Sequence, residues 1–232
     1  KIGGDFQELL IEQLQFWGQR FPNAGYGGMF YSWIHDPDPA PYNSYGNGSA
    51  MRVGAVGLYA ETLLEAYELA KRSAEVTHNH PEGIKGAQAT AVAVYLAKTG
   101  HHDKQFIRDY INHYFYPLDF SLDEIRDTYR FDVTCQGTVP VAITAFYEST
   151  SFEDAIRNAI SLGGDSDTLG AIVGAIAWPY YYVNNKLELT IDMHNIFYDA
   201  TKFIPMEFRS AILEFYEIVD PYKSVRAQLG LY

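Results

Sequence analysis

The residues best suited to chemistry in this sequence lie in one short stretch, Gly163 to Thr168, which reads GGDSDT and precedes a run of small apolar residues. Asp165, Asp167 and Thr168 supply three hard oxygen donors at close range, and such oxygens suit Mg²⁺ or another hard divalent cation. The two glycines favour a tight turn, and the small residues after it let a helix pack closely against its neighbours. The stretch therefore predicts a rigid metal-binding turn.

The same turn has a simpler interpretation. An aspartate at a helix start is most often a cap that accepts backbone N–H groups and complements the helix dipole. Three oxygens also underfill a six-coordinate cation, so that further ligands must come from elsewhere in the chain, from substrate or from water. The residue types alone leave both interpretations open.

A second stretch, Pro41 to Arg52, is rich in glycine and in hydrogen-bond donors. A glycine-rich loop that leads into a helix lets backbone N–H groups approach an anion. Tyr42 and Tyr45 add flat surfaces for a base, although any one aromatic residue in this sequence is more often part of the core. The combination suits a nucleotide that carries phosphate. Its polar donors are Asn43, Ser44, Asn47 and Ser49.

Three further residues, His78, Asn79 and His80, have more than one interpretation from their local pattern. His78 is about as suited to a packed core as to ligand binding, while Asn79 or His80 is expected to cap the helix that begins at Pro81. A zinc site is not expected, because no cysteine pair accompanies the histidines. Cys135 has no histidine nearby in sequence, so it is expected to be a small buried residue and not a nucleophile.

Composition narrows the function classes. The 232 residues include 29 acidic and 17 basic side chains, so the net charge of −12 would repel nucleic acid. The single cysteine fits a reducing compartment, and we expect a cytoplasmic protein. The longest apolar run, around Leu169 to Trp178, is about half of the roughly 20 residues that a membrane span needs. We therefore expect neither nucleic-acid nor membrane partners.

Helical periodicity runs through almost the whole sequence, and no segment shows the alternation of a strand. The fold class predicted is all-α, with residues 1–232 forming one domain. Helix starts are predicted from capping residues and from prolines in a first turn. These starts are at Asp5, Pro81, Asp103, Ser121, Pro140, Ser151 and Thr168, with one or two more helices in Met51 to Val76 and one in MEFRSAILEFYEIV.

Four motifs together resemble the ADP-ribosylglycohydrolase family, the dinitrogenase-reductase-activating and ADP-ribosyl-acceptor hydrolases. They are SYGNGSAMRV, THNHPEGIKGAQAT, FDVTCQGTVPVAI and GGDSDTLGAIVGAIA, in that order. The resemblance implies an orthogonal all-α bundle. It also implies two Mg²⁺ ions and hydrolysis of the bond between ADP-ribose and a protein side chain or small acceptor.

The resemblance also implies a role for individual residues. Asp165, Asp167 and Thr168 match half of the metal site, and Asp165 and Asp167 are the implied catalytic carboxylates. The implied substrate-binding residues comprise the diphosphate and adenosine loop, in which Tyr45 is the stacking residue, a histidine that contacts ADP-ribose, a loop beside the distal ribose, and part of a wall near Val133. These residues are Ser44, Tyr45, Gly46, Asn47, Gly48, His78, Gly27 and Cys135.

One motif of the family is not found in this sequence. Members carry a Thr-Asp-Asp-Thr motif near the N-terminus that completes the dinuclear site, and Asp36 and Asp38 do not match it. Three expectations follow: a chain whose N-terminal segment is truncated or supplied separately, a protein that binds ADP-ribose without cleaving it, or a structural family member. We favour the first, because Asp165, Asp167 and Thr168 have no evident purpose in a structural protein.

Overall fold

The structure, a computed structural model, describes residues 5–183 and 199–219, and within these ranges it contains helices and no strand. The described residues belong to two compact units, 1–184 and 185–232, which are considered separately. An isolated antiparallel bridge joins Gly46 and Thr134 in the first unit. The predicted all-α class is confirmed.

The first unit contains eleven described helices. They are α1 (Phe6–Arg20), α2 (Gly28–Ile34), α3 (Gly48–Met51), α4 (Gly54–Tyr59), α5 (Leu63–Glu75), α6 (Pro81–Lys98), α7 (Lys104–Tyr114), α8 (Leu122–Ile125), α9 (Cys135–Glu148), α10 (Phe152–Ser161) and α11 (Ser166–Val183). In the second unit, α12 (Met206–Val219) confirms the helix predicted for MEFRSAILEFYEIV. Within the described ranges, no helix combines the length and the apolar character that crossing a membrane requires.

Helix α6 forms the centre of the first unit. It packs against α3, α4, α5, α7, α9 and α11, and nearly all of its residues from Gly83 to Ala97 are buried. Its alanines and glycines permit close approach: a Cβ added at Gly57 of α4 would lie 2.5 Å from the carbonyl oxygen of Ala91. A helix packed closely on several sides holds the loops around its N-terminus in fixed positions.

Most predicted helix starts are confirmed, because each rests on a local hydrogen bond. The side chains of Asp5, Asp103 and Ser151 accept backbone N–H groups at the starts of α1, α7 and α10. Ser121 and Glu124 form a reciprocal capping box at α8. His80 caps α6, and Pro81 lies in the first turn of this helix. The cap had been predicted at Asn79 or His80, and the second alternative is confirmed.

The predicted starts at Pro140 and Thr168 were wrong. Helix α9 begins at Cys135, because the Thr134 side chain accepts the N–H of Gly137 at 3.1 Å and forms a cap. Pro140 therefore lies inside the helix, past its first turn, where its missing N–H removes one intrahelical hydrogen bond. Helix α11 begins at Ser166, directly after the two-glycine turn.

Candidate functional site

The predicted carboxylate turn is present at the start of α11. Gly163 and Gly164 have φ angles of +70° and +68°, a conformation that glycine adopts without strain. Asp165 is buried, whereas Asp167 is exposed and accepts the N–H of Thr168 at 3.0 Å. The Asp165 and Asp167 side chains hydrogen-bond to each other, and Thr168 also interacts with Asp165. The three predicted oxygen donors are therefore clustered.

The two carboxyl groups differ in acidity. Burial raises the pKa of Asp165, and the proximity of Asp167 adds to this, although a hydrogen bond from Asn47 opposes it. The hydrogen bond with Asp165 lowers the pKa of Asp167, together with the N–H of Thr168. Of the two groups, Asp165 is therefore the one that takes up a proton first as the pH falls, and that proton would ease the repulsion between two close carboxylates.

Asn47 connects the loop Pro41–Arg52, called here the nucleotide loop because its sequence suits a nucleotide, to this turn. Its side-chain amide donates to Asp165 Oδ2 at 2.6 Å and to Thr138 Oγ1 at 3.0 Å. Its backbone N–H donates to the Val133 carbonyl at 2.7 Å. The loop Pro41–Arg52 and the segment Asp132–Thr134, which precedes α9, thus meet at the carboxylate turn.

The second contact between those loops involves Cys135. Its N–H donates to the Tyr45 carbonyl at 2.9 Å, and its thiol donates to the Gly46 carbonyl at 3.1 Å. Burial raises the pKa of Cys135 to about 11, so the thiol keeps its proton at neutral pH. A Cβ added at Gly86 of α6 would lie 2.4 Å from the Cys135 sulfur. Cys135 is therefore a buried packing and hydrogen-bonding residue, in agreement with the interpretation from its local sequence.

His78 lies beside the glycines of the same loop. A Cβ added at Gly46 or Gly48 would be 3.5 or 3.4 Å from His78 Nε2, so at these two positions no side chain covers this nitrogen. The imidazole is buried, and burial, with a contribution from the nearby Arg52 cation, lowers its pKa to about 3. His78 is therefore neutral at physiological pH.

The expectation that the loop backbone meets an anion is wrong for two of its N–H groups. The Gly46 N–H donates to Ser44 Oγ at 3.1 Å, and that of Asn47 donates to Val133 as described above. The first bond is local to the loop, and the second forms because the loop docks on the segment that contains Val133. Side-chain groups, the Ser44 hydroxyl and the His78 imidazole, are left as candidate anion contacts.

The predicted stacking residue Tyr45 is 48% exposed, and its ring centroid lies 5.2 Å from that of His80. An exposed ring beside a polar loop can accept a base on its open face. Gly27 is also exposed and precedes α2, which packs against α1. A Cβ added at Gly27 would meet no atom within 4 Å. Its role beside a ribose stays a prediction.

Sequence reasoning missed Tyr129, which packs against the carboxylate turn. A Cβ added at Gly164 would lie 2.9 Å from Tyr129 Cε1, so glycine is needed at this approach. Burial, followed by the negative charges of Asp132 and Asp165, raises the pKa of Tyr129 to about 12. A cavity of about 390 Å³ adjoins this ring, and its lining includes Phe120, Ile125, Arg130, Phe131 and Val141.

The donor set for a metal is partial in the part of the chain that the structure describes. No group of three or more His, Cys, Asp or Glu side chains is arranged there to hold an ion. Asp165, Asp167 and Thr168 are nevertheless oxygen donors of the type that Mg²⁺ prefers, and Asp167 is open to solvent. They fit one side of a cation, and its remaining ligands must come from other groups.

Comparisons with known proteins identify the family of this chain. The family model for ADP-ribosylglycohydrolase matches residues 4–178, and the chain belongs to this family. ADP-ribosylhydrolase ARH3 of Gallus gallus is 29% identical over 69% of the chain and 60% of the relative. ADP-ribosylarginine hydrolase Tri1 of Pseudomonas putida is 27% identical over 68% of the chain and 43% of the relative.

A solved structure described as an ADP-ribosylglycohydrolase-related protein complex aligns with a TM-score of 0.58 and 25% identity. The alignment covers 78% of this chain and 65% of that one. The chain thus spans about half of the length of the curated relatives named above.

Proposed function

We propose that this protein hydrolyses, with Mg²⁺, the glycosidic bond that links ADP-ribose to a protein side chain or small acceptor. The observation that carries the proposal is the 2.6 Å hydrogen bond from the Asn47 amide to Asp165. It joins a loop suited to a nucleotide to a turn suited to a cation. A ligand held by the loop would therefore have its reacting end near the carboxylates. Family membership supports the same reaction class.

In this proposal the side chains divide the work. Ser44 and His78 would bind the diphosphate, and Tyr45 would stack on the adenine. Asp165, Asp167 and Thr168 would hold Mg²⁺, in a site of two ions as the family resemblance implies. When bound, Mg²⁺ supplies Lewis-acid polarisation of the ribose hydroxyls and orients water. Its remaining ligands would come from substrate, water, or a further segment, in the same chain or a separate one.

The acidities of the carboxylate pair fit hydrolysis. The pKa of Asp165 is raised and that of Asp167 is lowered. Such a pair can accept a proton from the attacking water and return one to the departing acceptor. The bond from the anomeric carbon to the acceptor breaks as the bond to the water oxygen forms.

The free thiol of Cys135 fits a reducing compartment, and we place the reaction in the cytoplasm.

A second candidate is a protein that binds ADP-ribose without cleaving it. It is favoured by the partial donor set, since no three His, Cys, Asp or Glu side chains within residues 5–183 and 199–219 are arranged to hold an ion. A structural role is a third candidate, but it gives no reason for the Asp165–Asp167 pair.

Calorimetry and hydrolysis assays with the same sample separate these candidates. ADP-ribose is titrated into the protein in the presence of Mg²⁺ and, separately, of EDTA. Hydrolysis is followed as the release of ADP-ribose from arginine-linked and serine-linked substrates. Hydrolysis with Mg²⁺ that EDTA abolishes supports the proposal. Binding without hydrolysis of either substrate supports the second candidate. Absence of both binding and hydrolysis would contradict both and leave the structural role.

A further inference from the structure

We infer that Arg52 and Thr77 are positioning residues that hold His78 as the tautomer with its hydrogen on Nε2, facing the glycines of the nucleotide loop. The inference deepens the proposed function and rests on it for its ligand, the diphosphate of ADP-ribose. Arg52 ends the GNGSAMR motif and Thr77 directly precedes His78. The hydrogen bonds among the three side chains fix the order of their protons.

The order begins at Arg52, which has donors and no acceptor. Burial lowers its pKa to about 10, so it remains a cation at neutral pH. Its Nη2 donates one hydrogen to the Ser73 carbonyl at 2.6 Å and the other to Thr77 Oγ1 at 2.9 Å. Thr77 cannot donate to Arg52 in return. The Thr77 oxygen must therefore act as an acceptor towards this neighbour.

Thr77 transmits this constraint to His78. Its hydroxyl is fully buried and lies 2.7 Å from His78 Nδ1. The Thr77 oxygen already accepts from Arg52, and in the hydrogen bonds of the described residues His78 Nδ1 is the one acceptor for its hydrogen. A buried hydroxyl without access to water donates its hydrogen to such an acceptor. Nδ1 is then the unprotonated ring nitrogen of His78.

A neutral imidazole carries one hydrogen, so this order places it on Nε2. The His78 ring is buried and neutral, and the charged or titratable groups that face it are Arg52 and Tyr42. Nε2 faces Gly46 and Gly48, where an added Cβ would lie 3.5 or 3.4 Å away. A hydrogen on Nε2 can bond to a phosphate oxygen, whereas a lone pair there would repel it.

The experiment reads the tautomer directly. Protein with ¹⁵N-labelled histidine is examined by long-range ¹H–¹⁵N spectra between pH 5.5 and 8, and His78 is assigned by loss of its signals in His78→Gln. We expect an unprotonated Nδ1 and a protonated Nε2 across this range. A hydrogen on Nδ1, or a mixture of the two forms, would overturn the inference even if every variant below failed to fold.

Matched variants test the relay. Thr77→Val removes the hydroxyl and retains the shape, so it should produce a tautomer mixture and weaken ADP-ribose binding about tenfold. Thr77→Ser restores the hydroxyl and should restore both properties. Arg52→Lys keeps beside Thr77 a cationic side chain that can donate but not accept a hydrogen bond, so it should leave the His78 tautomer unchanged. Affinity for adenosine, which lacks phosphate, should not respond to Thr77→Val.

Other outcomes contradict the inference. Equal ADP-ribose affinity in Thr77→Val and wild type would remove the role in diphosphate binding. Equal losses for adenosine and ADP-ribose would indicate a structural effect. The proposed function fails on a different measurement, the hydrolysis of ADP-ribosylated substrates, so the two failures are distinguishable.

Discussion

The histidine side and the carboxylate side of the candidate site are prepared in different ways. On the histidine side, Arg52, Thr77 and His78 form a buried relay whose hydrogen bonds are made within the chain. On the carboxylate side, Asp165 and Asp167 lie close together with pKa values shifted in opposite directions, and Asp167 is exposed. The first side is organised before a ligand arrives. The second holds two carboxyl groups close together, and the cation of the proposed function would stabilise it.

Asn47 is the residue through which these two sides are coupled. Its backbone belongs to the loop beside His78, and its amide donates to Asp165. Ligand binding and carboxylate positioning therefore depend on one segment. The comparison predicts that binding and turnover can nevertheless be separated by substitutions on either side of Asn47.

The largest effect is expected on the carboxylate side. Asp167→Asn should lower the rate of hydrolysis by about 100-fold or more, because in the proposed function it removes an oxygen that binds the metal and accepts a proton. ADP-ribose affinity should change less than about threefold, since the histidine side is intact. Steady-state kinetics and calorimetry measure the two quantities. Asp123→Asn, at an exposed position of α8, is the control. Wild-type turnover in Asp167→Asn would contradict the assignment.

The next effect concerns pH and stability at His78. The folded pKa of about 3 lies below the ordinary 6.5, so below pH 6.5 the unfolded chain takes up a proton that folded His78 does not. This contribution to stability is present above pH 6.5 and is lost as pH falls towards 3. From pH 6.5 to 4.5 wild type should lose about 2 kcal/mol more than His78→Gln. Urea unfolding at both pH values measures this difference.

A parallel pH dependence in wild type and His78→Gln would show that folded His78 titrates normally. Glutamine is a suitable replacement because it retains a polar side chain without a group that titrates in this range. The histidine side would then be less strongly desolvated than its burial indicates.

A smaller loss is expected when the space in front of His78 is filled. The Cβ of Gly48→Ala would lie 3.4 Å from Nε2 and would obstruct a phosphate oxygen there. ADP-ribose affinity should fall about tenfold, the effect of losing about one hydrogen bond, with turnover at saturating substrate nearly unchanged. Gly170→Ala is the control, because its Cβ meets Ile160 Cδ1 at an ordinary 3.7 Å. Equal affinity in Gly48→Ala and wild type would contradict the loop assignment.

The sequence predicts the two sides unequally well. Helix caps and the two-glycine turn could be predicted because a few adjacent residues determine them, as at Asp5 and Gly163. The Asn47–Asp165 bond joins residues 118 positions apart, and no local pattern shows which loops meet. The relay at His78 was missed for a related reason: the direction of its protons depends on the distant Arg52.

The smallest effect is expected at Tyr45, where the histidine side is open to solvent. Tyr45→Ala should weaken ADP-ribose binding about fivefold, because stacking of a base on one aromatic ring contributes about 1 kcal/mol at the low end. Tyr45→Phe retains the ring and should bind as wild type does. Tyr31, with a similar exposed fraction of 46% against 48%, supplies the control Tyr31→Ala. Affinity unchanged in Tyr45→Ala would mean that the adenine lies elsewhere. An equal loss in Tyr45→Phe would indicate that the phenol hydroxyl, and not the ring face, contacts the ligand.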